Sequence, residues 1–506
     1  MMEKCLRYST VVMSFLIFSL GLIYASFNVI LIGVLLMYVS NLIYAFENIK
    51  RRVLFLIFHL VLFVFLLSRP TISMIKGNIW WYFEYSSVYF ALFALFLTII
   101  FLQIGSIIME WKLYTQKKYT KIKPAADPQK EEKKQRFIRC LQITSLCLFY
   151  IAIVFTFLRE TEKFVFMRGK EYEQFYTDFE SSLPFVFLKI AEMTKYFLCI
   201  FLATLPSKKR AVIPLGLYVL SAVPMLLIGA RNPIVLNFLF ALTYFFIRDV
   251  YQESEKWIGK FERLCLYIGI PVAMLSLGAL NYIRAGESAN KMGVFELLVD
   301  FLYKQGVSFD VLCIGHNSIP KIIDTGFVNY TFGPFIDYFV HGTIAQKLFG
   351  TLDFGSGNNI VVALYSNSFA HRMSYVSRGE EYLQGKGWGS SYILETYADF
   401  GYIGIIIFSI ILAMLLIAFI PYIKKNWFLG TVILLSLNEV YFIPRDSALG
   451  WVANLLTVQF LMALVFCVAL SGLMVKRYSY YKILKRKTKI NIDSNSYIKE
   501  RMQSNV

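Results

Sequence analysis

The stretch GKGWGSSYILETYADFGYIG, residues 385–404, runs without a break into IGIIIFSIILAMLLIAFI, residues 403–420. The second part carries no charge and is long enough to cross a bilayer as a helix. The first part is different. Gly385, Gly387 and Gly389 around Lys386 let the backbone bend closely, and Ser390 or Ser391 can cap a short helix. Glu395 and Asp399 then stand four residues apart on one helical face, and Gly401 is placed to end the helix. The stretch marks the point where a long polar segment enters the membrane. It fits a tight turn with an amphipathic connector and it fits a functional site; the stretch alone does not separate the two.

Outward from that boundary the chain is mostly apolar. Of 506 residues, 57% are hydrophobic, in repeated runs near the length of a membrane helix. Runs at 9–25, 28–46, 53–68, 88–109, 141–158, 185–205, 211–228, 233–247, 265–283, 403–420, 428–442 and 451–475 predict an all-α polytopic membrane protein with about twelve transmembrane helices. The first run is not read as a removable signal, because a second follows at once with no small-residue cleavage pattern between them. Composition thus excludes a large soluble core.

The basic residues orient the chain. Lys50, Arg51 and Arg52, the ten Lys or Arg from Lys112 to Arg139, the cluster Lys208, Lys209 and Arg210, the pair Lys424 and Lys425, and the tail from Lys476 to Arg501 all fall on one side of a twelve-span arrangement. That side is expected to be the cytoplasm, with both termini inside. The formal net charge of +18 is then mainly a topology signal with some attraction to anionic lipid, and no nucleic-acid partner is expected. The predicted division is 1–283 for spans one to nine, with a basic cytoplasmic loop at about 110–139; 284–402 for a large extracytoplasmic loop; 403–475 for the last three spans; and 476–506 for a basic cytoplasmic tail. Of seven cysteines only Cys313 faces out in this arrangement, so no disulfide is expected outside.

Polar residues inside spans are few and worth weighing singly. His59 lies mid-span and reads as a hydrogen-bonded structural histidine. Lys189, Glu192 and Lys195 recur every three residues in the outer half of the sixth span, either as a self-neutralised cluster at the interface or as the lining of a substrate groove. Gly229-Ala-Arg-Asn-Pro233 makes an outward turn, in which Asn232 is expected to cap the next helix and Pro233 to occupy its first turn. Arg231 then sits beside free helix amides that favour an anion, or it anchors the hairpin to headgroups. Arg284, at the outer end of the ninth span, is expected at the same level, and two arginines there could grip a diphosphate bidentately.

The outer loop has eight Lys or Arg against eleven Asp or Glu, and it holds His316, His341 and His371, three of the four histidines. Near balance in charge, aromatic content and absence of low-complexity sequence predict a folded segment. Its histidines and carboxylates lack metal-ligand spacing, and no P-loop or dinucleotide fingerprint occurs anywhere, so no metal and no cofactor are expected.

The Gly-x-Arg of Gly229 to Arg231 between two spans, the outer loop ending Gly387-x-Gly-Ser-Ser-Tyr-Ile-Leu-Glu395, and Asp399-Phe-Gly-Tyr-Ile-Gly404 entering a span together resemble the Wzy-type oligosaccharide repeat-unit polymerases. The resemblance departs from the family pattern at Asn232-Pro233, where such polymerases are often richer in glycine. It implies an architecture like that of the lipid-dependent GT-C-type glycosyltransferases. It also implies an enzyme of a bacterial cytoplasmic membrane that transfers a growing glycan from undecaprenyl diphosphate onto an incoming lipid-linked repeat unit at the outer face, in capsule, exopolysaccharide or O-antigen synthesis. Implied partners are the undecaprenyl-diphosphate-linked oligosaccharide, membrane lipids, a chain-length regulator and a flippase. On that chemistry Arg231 and Arg284 are expected to stabilise the leaving diphosphate, with Lys386, Arg378 and Arg372 as further substrate-binding candidates. Glu395 is the first candidate for the base, with His341, His371 and Asp399 behind it, although Glu395 could equally cap or pair with a neighbouring arginine. The alternatives are an O-antigen-ligase-like transferase and a polysaccharide flippase or transporter; no inverted repeat of the transporter kind is visible.

Overall fold

A computed structural model describes residues 2–115, 127–170, 179–251, 256–284, 293–323 and 325–477. Among them the chain is all helical, with no sheet. The long helices are α1 (Met2–Ile23), α2 (Phe27–Glu47), α3 (Ile49–Ile75), α4 (Tyr85–Thr115) and α5 (Pro128–Phe166). Two short ones follow, α6 (Phe185–Glu192) and α7 (Thr194–Ala203). Next come α8 (Lys208–Leu220), the single turn α9 (Val223–Leu227), α10 (Asn232–Tyr251) and α11 (Lys260–Arg284). The polar segment supplies α12 (Val294–Gln305), α13 (Ser308–Ser318), α14 (Gly333–Val340), α15 (Thr343–Phe349), α16 (Ile360–Tyr365), α17 (Phe369–Arg378) and α18 (Glu380–Leu383). The chain closes with α19 (Tyr392–Ile423), α20 (Trp427–Glu439), the turn α21 (Gly450–Ala453) and α22 (Val458–Arg477).

Ten helices among the described residues are long and apolar enough to cross a membrane, against the twelve expected from the sequence. The run at 185–205 is where they differ most. It is cut at Met193 into α6 and α7, neither long enough alone, and at the cut the Thr194 hydroxyl meets that of Thr156 on α5 at 2.7 Å. The run at 265–283 lies in α11, which is not among the ten. The last span starts at Val458 rather than 451, because Trp451 belongs to α21 and a 3-10 turn over Asn454–Leu456 intervenes. The two breaks lie beside polar contacts between distant residues, Thr194 with Thr156 and Asn454 with Lys195, which hydropathy does not register.

Helix contacts are closest where side chains are smallest. A Cβ on Gly105 of α4 would strike the backbone of Ile410 on α19, and one on Gly33 of α2 would lie 2.8 Å from Phe18 on α1. Bare backbone at these points lets helices approach in a lipid setting that provides no hydrophobic drive between them. Gly105→Ala is therefore expected to lower the thermal midpoint of the detergent-purified protein, by an amount equivalent to about 1–3 kcal/mol. Gly472→Ala, which has open space around it, should leave it unchanged. Equal midpoints for the two variants would contradict the close approach. His59, fully buried in α3, takes the structural role expected of it. Its Nδ1 donates to the Phe55 carbonyl and its Nε2 accepts from Asn41 Nδ2, both at 2.9 Å.

Charge gathers at one end of the helices. Arg7 of α1, Glu47 of α2, Arg52 of α3 and Glu110 of α4 form a linked network there. Farther along the chain, Lys208 at the start of α8 pairs with Glu262 of α11 at 2.5 Å, and Arg248 near the end of α10 donates to the Pro206 carbonyl. The polar segment with α12–α18 caps the opposite end. Ser68 of α3 donates to the Leu302 carbonyl at 2.9 Å, Arg69 pairs with Asp310 at 3.1 Å, and Ser87 of α4 bonds His316, which stacks on Phe90. Burial pushes the Asp310 carboxyl up to about 6 against the opposing pull of Arg69.

Candidate functional site

A groove of about 430 Å³ opens among α5, the α6–α7 break, α8–α9, the start of α10 and the segment after α21. Its polarity follows from the interruptions. Each broken helix presents side chains from its ends, where an unbroken apolar span would present leucines. Lys195, just after the cut, turns to Glu439 Oε1 and Asn454 Oδ1, both at 2.9 Å, and Asn454 Nδ2 also donates to Glu439. Glu192, just before the cut, accepts from Lys189 at 2.9 Å and from Gln459 Nε2 at 2.9 Å. Tyr218 of α8 donates to Asn438 at 3.0 Å, and Asn237 of α10 donates to the Tyr218 carbonyl at 2.8 Å. On the α5 side Lys163 pairs with Glu160 at 2.9 Å beside Arg159. Each carboxylate is thus paired with a cation, as an ionised group away from water requires. The groove offers amides, carboxylates and tyrosines, groups suited to hydrogen-bonding hydroxyls and to lying against a sugar ring.

Arg231 immediately precedes α10. Its carbonyl accepts from the Val235 amide at 3.2 Å, so Arg231 itself is the cap residue and Asn232 the first helical one, a correction of one position to the sequence reading. Gly229, with φ of 95°, supplies the left-handed turn that brings the chain there. Pro233 and Asn237 on the next turns form part of the groove wall. Arg284 is the last residue of α11, and its side chain lies outside the described residues.

The other sequence candidates lie apart from this groove. Glu395 is only 2% exposed, and both of its oxygens are engaged, by the Ser390 hydroxyl at 2.8 Å and the Ala448 amide at 2.7 Å. Ser391 is the actual cap of α19, and Gly401, with φ of 62°, kinks that helix where an end was expected. Asp399 and Arg372 share a second cavity of about 480 Å³. Asp399 accepts from the Tyr330 and Thr331 amides there, and Arg372 donates to the Ser366 and Ile323 carbonyls and to Thr325. Both residues are holding loops in place. His371 bonds the Tyr382 hydroxyl at 2.8 Å, and burial pulls its imidazole below the usual histidine range. Arg378 pairs with Glu381 at 2.7 Å and lies over the Trp388 ring, while Lys386 is exposed. His341 faces the Leu352 carbonyl and stacks on Phe354.

A profile of the family described as O-antigen polysaccharide polymerase Wzy matches residues 6–478. The chain belongs to that family. Neither a curated protein nor a solved structure matches it. The polymerase is therefore a glycan-polymerising transferase of the membrane that joins lipid-linked repeat units. For such an enzyme the groove residues that sequence reading passed over stand out, Asn454, Asn237 and Tyr218, together with Glu439 and Asn438, which hold Lys195 and Tyr218 of the wall from behind. One signal was present, since Glu439 is an ionisable residue inside the apolar run at 428–442. The neutral amides and the tyrosine gave none.

Proposed function

We propose that this Wzy-family polymerase works at the outer face of a bacterial cytoplasmic membrane. There it transfers a growing glycan from undecaprenyl diphosphate onto the terminal sugar of an incoming lipid-linked repeat unit, for capsule, exopolysaccharide or O-antigen. Arg231 and Arg284 seat the diphosphate as charge develops on it, and the sugars next to the diphosphate occupy the groove. The observation that carries this reading is the wall formed by Pro233 and Asn237: the polar cavity starts where the Arg231-capped helix starts. A helix N-terminus together with a guanidinium favours an anion, and the adjoining amides and carboxylates favour hydroxyls.

Glu395 takes a positioning role in this proposal, tying the 385–404 stretch to Ala448. Arg372 and Asp399 shape the loop above, while His371, Arg378, Lys386 and His341 lie in the segment that follows the glycan outward. The basic end of the bundle faces the cytoplasm with both termini, and α6–α7 and α11 complete a twelve-span, GT-C-like arrangement with 284–402 outside. A flippase and a chain-length regulator are its proposed neighbours.

The test is to delete the gene in its host, restore it from a plasmid, and size the glycans on lipid diphosphate. Single repeat units should accumulate outside, and long chains should return on complementation. Long lipid-linked chains in the deletion strain that fail to reach a final acceptor would instead identify a ligase, and repeat units trapped inside would identify a transporter.

A further inference from the structure

The hairpin α14–α15 leaves an unbroken apolar face uncovered. Phe339 is 55% exposed, Ile344 61%, Leu348 70% and Phe349 79%, with Val340 and Leu352 also open. Phe309, Phe369 and Tyr382 of the polar segment are buried, while Phe295 and Phe327, also strongly exposed, lie outside this hairpin. The hairpin is well anchored on its other side. Asp337 of α14 accepts from the backbone and side-chain amides of Asn367 at 2.8–3.1 Å, and a Cβ on Gly333 would strike the Asn367 backbone. The exposed face therefore belongs to a fixed element.

Its position indicates what covers it. The Val458 amide, on the first residue of the last membrane helix, donates to the Tyr338 hydroxyl at 3.1 Å, and α14 packs on α21 just before that helix. This seats the hairpin at the start of a candidate membrane span whose first residue, Val458, is itself exposed. Tyr338 also forms part of the groove wall, one residue before Phe339. We infer that α14–α15 lies in the outer-leaflet interface, with the bilayer as its partner, and forms the lipid-side threshold of the groove. An amphipathic pair of short helices in that plane keeps its apolar side among acyl chains and its polar side toward water. A substrate whose diphosphate sits in the groove while its polyisoprenoid tail stays in the membrane passes this threshold on entry. That last point rests on the proposed function; the membrane contact rests only on the outer placement of the loop.

Leu348→Cys, Phe349→Cys and Lys347→Cys variants of the full chain, treated on intact cells with a membrane-impermeant maleimide and compared with the unsubstituted chain, test the contact. Lys347→Cys should label. Leu348→Cys and Phe349→Cys should stay unlabelled in cells and label once detergent replaces lipid. Equal labelling of all three in cells would overturn the inference by placing the face in water. Protection that persists in detergent would overturn it by showing a protein cover, whether a second copy or another chain. If Lys347→Cys reacts only after the cytoplasmic side is opened, the outer placement falls and the inference with it. Normal polymer length in the deletion strain, by contrast, would remove the polymerase reading while leaving the lipid contact standing.

Discussion

Arg231→Ala is expected to leave the protein in the membrane at its normal level and to lower polymer formation by about 10²- to 10³-fold, the usual effect of removing one preorganised donor from a developing anion. The argument starts from its place in the chain. Gly229 turns the backbone, Arg231 caps α10, and the groove wall begins two residues later. A guanidinium there can give two parallel hydrogen bonds to a diphosphate, with α10 adding the positive end of its dipole. Arg231→Lys keeps the charge but loses the fork, so it should recover only part of the activity. Repeat-unit ladders resolved on gels, normalised to protein in the membrane, provide the readout. Arg284→Ala is expected to behave in the same way, and normal ladders from both alanine variants would remove the diphosphate clamp from the mechanism.

The second large effect is on stability. Arg52 is 8% exposed and donates through Nε and Nη2 to Glu110, through Nη1 to Glu47, and to the Tyr44 carbonyl. Its guanidinium also lies 3.6 Å from the centre of the Tyr44 ring, and Arg7 shares Glu47 at 2.9 Å. Arg52→Ala leaves the partly buried Glu110 and Glu47 with only Arg51 and Arg7, a loss of about 3 kcal/mol, the low end for breaking a buried pair from one side. Thermal unfolding in detergent should show it as a sharply lower midpoint. Arg52→Ala combined with Glu110→Gln should recover part of that loss, because one uncompensated carboxylate is then gone. A midpoint for Arg52→Ala equal to that of the unsubstituted chain would mean that the network is solvated and contributes little.

What could be read from the sequence was whatever depends on nearby residues. The apolar run at 403–420 announced α19, the serines before it announced a cap, and the mid-span position of His59 announced a bonded imidazole. The pairing of Lys189 with Glu192 was also within reach, since three residues separate them on one helix. The break at Met193 was not, because it goes with a hydroxyl on another helix, at Thr156. Lys195 and Glu439 are 244 positions apart, and no local pattern joins them. Glu395 shows the limit most clearly. It stands on a polar helical face, and of its two partners the Ser390 hydroxyl is five residues away, whereas the other is the amide of Ala448, and a backbone amide carries no identity in a sequence.

The shared carboxylates of the first four helices bear on how the chain is made. Arg7, Glu47 and Arg52 all leave the ribosome before Glu110, which follows Arg52 by 58 residues. Until the fourth helix is inserted, Arg7 and Arg52 have only Glu47 between them. The second carboxylate of the cluster comes only with Glu110, so the network can lock the N-terminal bundle only after its last member is in the bilayer, an order of assembly written into synthesis itself.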